Sequence, residues 1–363
     1  MGRWGERVTC MNATWYQMGC LEDPENRMHP IKLSLLVTLT ALLVSACGGS
    51  ASQNAAGNSE TASFESPSPA SDCQVVQHDF GETTICEQPQ RVVALDSYTL
   101  DLLLSLDVQP VGYAEHRYAL VGSPKSGEPM IQIKYLGDRM TSNPIYVGIQ
   151  QSPSLEAILW LKPDLILGKI SDQSLYANLS KIAPTLFPFE DIDNHEWQRS
   201  LLTLGKVMDR EQRARQVIEQ HNQRITTART ELESITRDSK VLLLEMAGLD
   251  SIEVYTDQTY AGGLLKDLGF RLVIPDRSQA TLDRINISLE ILPQLDTDII
   301  IVMASGNNSL EKIKKEWEQS PILLSLSASK AGRVYFVDYQ LWSRITGPIA
   351  TELIIDQVRK LLL

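Results

Sequence analysis

Between residues 196 and 237 the chain carries no strand signal, and this one stretch constrains what the rest can build. Its core, WQRSLLTLGKVMDREQRARQVIEQHNQRITTARTELESI, sets apolar residues at three-and-four spacing among strong helix formers, the pattern of an amphipathic helix. A helix over most of it is roughly 45 to 60 Å long at 1.5 Å per residue, longer than one small domain is wide. On both sides the pattern changes to short apolar runs alternating with helical ones. Before it come RVVALD, YTLDLLLSLD, VQPVGYA, SLEAILWLKPDLILG and SLYANLSKIAPTLFPFE. After it come KVLLLEMA, GGLLKDLGF, DIIIVMAS, RVYFVD and a closing helix over 348–363. Strand, helix and strand at this spacing predict a parallel sheet with helices on its faces. The reading is α/β, with an N-terminal lobe over 73–195, a linking helical segment over 196–237 and a C-terminal lobe over 238–363.

The two flanks echo each other. SLEAILWLKPDLIL has Glu156 followed eight residues later by Asp164, and SLEILPQLDTDIII has Glu290 followed eight residues later by Asp298. Each is a serine, an early glutamate, an apolar helix and an acid that opens a buried strand. Two occurrences, one on each side of the long segment, predict lobes of related build. In each, the glutamate sits in a first helical turn, where the macrodipole favours an acid by ~0.3–1 kcal/mol, beside a capping Ser154 or Ser288.

Upstream of the lobes, an apolar run over 33–46 stops at Cys47. Its fourteen residues fall short of the roughly twenty that a helix needs to cross a bilayer. Lys32 ahead of it and Ser45 and Ala46 behind it give the three parts of a secretory signal. Val44-Ser45-Ala46-Cys47 resembles the bacterial lipobox, whose cysteine is lipidated and becomes the mature first residue. Glu22, Asp23 and Glu25 do not fit the positive start of such a signal, so translation is expected to begin at Met28, with 1–27 an extension outside the product, 28–46 the lipoprotein signal peptide and 47–72 a flexible tether rich in Gly, Ser, Ala, Asn and Pro. Without Cys10 and Cys20, the pair Cys73 and Cys86 remains beside the lipid site. They flank an alternating segment centred on Gly81, as the ends of a hairpin do, and are expected to be bonded in an oxidising compartment.

Composition narrows the function. The formal charge of −12 argues against nucleic acid, whose phosphates need a basic face. There is no Gly-x-Ser-x-Gly elbow, phosphate loop or His-Glu-x-x-His pair, so the chain is not read as an enzyme. His78, His116, His195 and His221 stand far apart, unlike the clustered ligands of a zinc or manganese receptor. No cofactor and no directly bound metal are expected.

From PQRVVALD through LLLSLDVQPVG, SLEAILWLKPDLIL, LSKIAPTLF, ISLEIL and SPILLSLSASKAGRVYFVD, the chain resembles the periplasmic substrate-binding proteins of iron-siderophore and cobalamin ABC importers. That resemblance implies two Rossmann-like lobes joined by one long helix, the class III periplasmic binding protein fold. It also implies a docking glutamate on each lobe for arginines of the membrane permease, here Glu156 and Glu290. The ligand is then expected between the lobes, beyond the carboxyl ends of the strands. That places Ser97 and Tyr98, residues 113–117 and the pair Trp342 and Arg344 near it. Ferric siderophores often carry negative oxygens and ring surfaces, suited to arginine forks and aromatic faces. The resulting ligand set is Tyr98, Arg117, Arg139, Tyr255, Tyr260, Trp342 and Arg344, with Tyr255 and Tyr260 taken as a loop over the ligand. A loop arginine can equally be a solvated charge paired with a nearby acid, and Tyr98 and Trp342 can equally be core aromatics. The partners implied are a permease, its ATPase, a ferric siderophore and, through the lipid, the cell membrane, for a monomer facing the periplasm or cell exterior. Cobalamin or haem is the alternative ligand, with His116 a candidate contact to iron, and a tethered periplasmic enzyme is the more distant alternative.

Overall fold

The computed structural model describes residues 73–78, 80–117, 125–129, 133–169, 173–186, 196–276, 278, 282–306 and 308–363. The expectations for 1–27, the signal peptide, Cys47 and the tether lie outside the described residues. Among the described residues, no helix is long and apolar enough to cross a membrane.

The first described segment is a hairpin of β1 (Gln74–His78) and β2 (Gly81–Ile85), with Gln74 opposite Ile85 and His78 opposite Gly81. Gly81 turns the chain at φ 122°, a conformation that a β-carbon resists. Cys73 and Cys86 are joined in a disulfide. Thr83 anchors the hairpin to the first lobe by donating its hydroxyl to the carbonyl of Thr185 at 2.8 Å.

That lobe contains β3 (Val92–Ala94), α1 (Ser97–Ser105), β4 (Gly112–Glu115), β5 (Ile145–Ile149), β6 (Ser152–Pro153), α2 (Leu155–Leu161), β7 (Leu165–Leu167), α3 (Gln173–Leu179) and β8 (Thr185–Leu186). Its sheet has the order β6-β5-β4-β3-β7-β8, parallel except for β6. The chain runs outward from β3 through β4 and β5, then returns to β3's other side with β7. The order therefore reverses at β3, and a crevice opens beyond its carboxyl end.

The single long helix expected over the linking segment is instead two, α4 (Glu196–Val207) and α5 (Glu211–Thr236). The 26 residues of α5 span about 39 Å. Between the helices Asp209 adopts φ 53°, while its N–H and that of Arg210 reach back to the carbonyls of Lys206 and Gly205. This is the paired closure of a Schellman motif, which normally advertises itself with glycine. Gly205 lets the two helices approach, since a β-carbon there would lie 2.9 Å from that of Ala214.

The second lobe contains β9 (Lys240–Gly248), β10 (Ser251–Tyr255), α6 (Tyr260–Asp267), β11 (Arg271–Leu272), β12 (Arg284–Ile287), β13 (Ile299–Ala304), α7 (Leu310–Gln319), α8 (Pro321–Ser325), α9 (Ser327–Lys330), β14 (Val334–Asp338) and α10 (Pro348–Leu362). Its sheet runs β12-β10-β9-β13-β14, with β11 beside the start of β9. It is mixed rather than parallel: β9 folds back on β10, and β10 pairs antiparallel with β12. SIEVY is thus a strand, not the loop expected for Tyr255.

The echo between the lobes has a structural meaning in its two aspartates. Asp164, just before β7, accepts the N–H groups of Gln90 and Arg91 at 2.7 and 2.8 Å, closing the start of neighbouring β3. Asp298, just before β13, accepts that of Lys240 at 2.8 Å, closing the start of β9. The parallel ends only partly. Ser154 caps α2 by accepting from Ala157 at 3.2 Å, whereas Ser288 makes no such bond and precedes a 3-10 turn, Leu289–Gln294, interrupted by Pro293.

Three apolar cores hold the lobes. One lies between the first sheet and α2 with its neighbours, and one between the second sheet, α7 and α8. The third is continuous from β3 and α1 through α4, α5 and α10 to β9 and β13. A joint of this kind favours small adjustments over wide opening. At its centre Asp101 of α1 is fully buried and accepts the N–H groups of Ile349 and Ala350 at 3.0 and 2.9 Å, capping α10 from the other lobe.

Candidate functional site

The reversal at β3 places residues 95–98 at the mouth of the crevice. One oxygen of Asp96 accepts both the N–H and the hydroxyl of Thr99 at 2.7 Å, starting α1, while the other accepts the N–H of Lys169. The loops after β3 and β7 are thereby tied together, and the Lys169 ammonium lies 5.9 Å from the Tyr98 ring centre.

At the carboxyl end of β4, buried Glu115 accepts from the Tyr113 hydroxyl and the His116 N–H, both at 2.7 Å, and from the Gln340 amide at 3.5 Å. Burial raises its pKa above the usual carboxylate value, against the pull of these bonds. Neighbouring His116 is pushed down to about 4, first by burial and then by the charges of Arg344 and Arg117. It is neutral at pH 7. Arg117 itself is exposed and, among the described residues, makes no ion pair.

The second lobe supplies the facing wall. The turn Gln340–Arg344 follows β14 and brings the Arg344 guanidinium 5.1 Å from the Tyr339 ring centre. The Arg344 Nε is buried without a hydrogen-bond partner, a costly condition for a cation's donor that an anionic guest would relieve. The Arg344 carbonyl accepts the Ser97 hydroxyl at 3.2 Å across the lobes, and Lys134 of the first lobe pairs with Asp338 of the second. Next along the wall, Arg284 lies 5.1 Å from the Tyr255 ring centre. Its contacts to Glu245, Glu253 and Asp283 are long, 3.8, 3.7 and 3.6 Å, and leave its donors incompletely used. Tyr255 bonds to Glu245 and, at 3.0 Å, to Ser343, and burial raises its pKa further, followed by Tyr339 and Glu245.

Arg117 and Arg344 therefore stand at the carboxyl ends, with Tyr98 behind them, but the other expected contacts do not. Trp342 is 0% exposed and donates its indole N–H to Gln357 at 2.7 Å, so it is a core residue. Tyr255 is 2% exposed and supports Arg284 rather than covering a ligand. Tyr260 starts α6 and spends its hydroxyl on the Gly347 carbonyl at 2.6 Å and on Thr351. Arg139 lies at the opposite, amino end of the first sheet: its carbonyl accepts from Gln109 ahead of β4, and its guanidinium pairs with Glu352 at 2.9 Å. It shares a recess of about 340 Å³ with Arg213 and Arg224.

Lys169, Arg284 and Tyr339 were missed in the sequence. Lys169 follows LILG and Tyr339 follows RVYFVD, so the rule that selected Ser97 selects them too. Arg284 opens RINI, a two-residue alternation too short to stand out.

Glu156 and Glu290 are both exposed, and neither forms an ion pair among the described residues. Glu290 has its pKa lowered by its own backbone N–H and then by the Ser288 hydroxyl, so Ser288 serves the carboxylate rather than the turn.

Comparison with known proteins places this geometry among relatives. Residues 92–341 match the family described as periplasmic binding protein. The Fe(3+)-citrate-binding protein YfmC of Bacillus subtilis (strain 168) is 29% identical over 324 residues, 89% of this chain and 93% of that protein. The Fe(3+) dicitrate-binding periplasmic protein FecB of Escherichia coli (strain K12) is 29% identical over 279 residues, 76% of this chain and 86% of that protein. Among solved structures, Staphylococcus aureus SirA complexed with staphyloferrin B superposes with a TM-score of 0.65 at 27% identity, covering 80% of this chain and 98% of that one. Petrobactin-binding YclQ from Bacillus subtilis shares the fold, with a TM-score of 0.64 at 20% identity, covering 80% of this chain and 99% of that one.

Proposed function

The chain belongs to the periplasmic binding protein family, and from that premise we propose that it is the substrate-binding component of an ABC importer, capturing a ferric siderophore between its lobes and delivering it to a membrane permease. It is a binding protein, not an enzyme. The observation that carries the choice of ligand is the second-lobe wall of Arg284 and Arg344, set against Tyr255 and Tyr339, together with exposed Arg117 after β4 of the first lobe, in a chain of net charge −12. Guanidinium forks on aromatic faces suit a rigid complex that presents several anionic oxygens, as a carboxylate-liganded ferric ion does. Citrate in the names of two relatives supports the same class.

Work outside the cytoplasm follows from periplasmic and lipoprotein relatives. Cys47 is the lipid attachment in this reading, and Glu156 and Glu290 are the two docking acids, supported by their exposure and their lack of cation partners. Calorimetric titration of the purified protein with ferric citrate, a ferric hydroxamate, cobalamin and haemin tests the ligand class. Saturable binding of ferric citrate, weakened about tenfold or more by Arg344→Gln or Arg284→Gln, is the expected result. Saturation by cobalamin alone would overturn the reading.

A further inference from the structure

One exposed strip is left without a use by the cleft. Among the described residues, Trp160 is 71% exposed and Leu159 60%, the former the most exposed of the large apolar side chains. Both lie on α2, three and four positions after Glu156, and positions so spaced share one helix face. Ala157, Ile158 and Leu161 take the opposite face into the lobe's core. The strip is therefore a carboxylate followed by leucine and indole, all turned to solvent.

Charge and shape select the occupant. Glu156 makes no ion pair among the described residues, although Asp107, Asp257, Asp338 and Glu352 all find cations within the protein. A carboxylate beside an indole face is the combination that holds an arginine, because the fork bonds to the carboxylate while the guanidinium plane lies on the ring. The second lobe offers a plainer version. There the turn that carries Glu290 packs against α8, whose Leu324 is 48% exposed.

We infer that Trp160 and Leu159 form the apolar anchor of a protein-docking face, on which a basic membrane-protein segment lays an arginine across the indole with its fork on Glu156. The inference rests on the reading of Glu156 as a docking acid and deepens it: the carboxylate acts together with its helix neighbours, and the first lobe is the stronger foot. Aromatic anchors with arginine partners are among the residues that dominate interface energies.

The test uses cells whose sole copy of the full chain is a variant, with uptake of radiolabelled ferric citrate measured below saturation. Trp160→Ala should lower uptake by about tenfold or more, and Trp160→Phe should retain most of it. The purified Trp160→Ala protein should bind ferric citrate and unfold as the parent does, because the side chain lies outside both core and cleft. Combining Trp160→Ala with Glu156→Ala should cost little beyond the worse single change, as expected when both hold one arginine. If Glu156→Ala with Glu290→Ala abolishes uptake while Trp160→Ala leaves it unchanged, the anchor is wrong and the docking acids stand. If neither lowers uptake, both ideas fall. Independent, additive losses, or loss of attachment to permease-free phosphatidylglycerol vesicles on Trp160→Ala, would assign the indole elsewhere and overturn the inference.

Discussion

Adding one methyl group at Gly347 should break the joint between the lobes. A β-carbon there would lie 2.5 Å from Asp101 Cγ and 2.6 and 2.9 Å from its two oxygens. The backbone at Gly347, φ −126° and ψ −170°, is extended, so alanine adopts it freely and the cost is steric alone. Asp101 has nowhere to go. Its oxygens accept from Ile349, Ala350 and the Ser105 hydroxyl at 3.0, 2.9 and 3.2 Å. Displacing it weakens one or two hydrogen bonds at about 0.5–1.5 kcal/mol each, on top of about 1–3 kcal/mol for overpacking. Gly347→Ala should therefore cost about 2–6 kcal/mol, a fall in thermal midpoint of very roughly 4–24 °C for a domain of this size. Asp101→Ala removes the acceptor of two buried N–H groups and should cost about 2–5 kcal/mol. In the double variant the methyl group occupies the space left by the carboxylate, so the combined loss should stay close to that of Asp101→Ala. Urea unfolding of the four proteins at one pH measures the coupling, expected at about 3 kcal/mol. Losses that add within about 0.5 kcal/mol would refute the clash.

Asp101, the two strand-start aspartates and the disulfide each give a further outcome. Burial raises Asp101 from 3.8 to about 7, so the folded protein keeps a proton that the unfolded chain has lost; the stability from that proton is full below pH 4 and gone above pH 7. Asp101→Asn should thus gain on the parent by about 2–4 kcal/mol between pH 4 and 8 in paired unfolding curves, and a flat difference would count against it. Asp164→Ala should cost about 1–3 kcal/mol and Asp298→Ala about 0.5–1.5, because the first closes two strand-start N–H groups and the second one. Reducing the Cys73–Cys86 bond, which spans 13 positions, should cost about 3 kcal/mol, seen as faster hydrogen exchange in β1 and β2 but not in β3.

The strands of both lobes were legible because buried parallel strands read as apolar runs, as in KVLLLEMA and DIIIVMAS. The break at Asp209 was not, since its left-handed residue is an aspartate where glycine is the usual signal. The antiparallel return of β10 was hidden for another reason: Gly248 and Asp250 suggest a turn, yet the run after them contains two polar residues and resembles a loop. At the cleft, the rule that loops after strands face the ligand placed Arg117 and Arg344 at the carboxyl ends. It could not say which way a side chain turns within such a loop. Trp342 and Arg344 are two positions apart, yet the turn sends the indole to Gln357 in the core and the guanidinium to Tyr339. Arg139 failed because nothing in its sequence identifies which end of the sheet it occupies.

The contact between Asp101 and the start of α10 also sets an order of events. Its partners lie 248 and 249 positions further along the chain, so an element made early is completed by one made much later. Until the 15 residues of α10 arrive, α1 lacks a wall and the shared core stays open. Contacts of such long range form late, after their loop-closure entropy has been met. A chain crossing a membrane N-terminus first would remain threadable until α10 emerged, and only then would both lobes close. The C-terminal helix is thus a timer as well as a brace, and deleting it should unsettle the lobe made first as much as the lobe it belongs to.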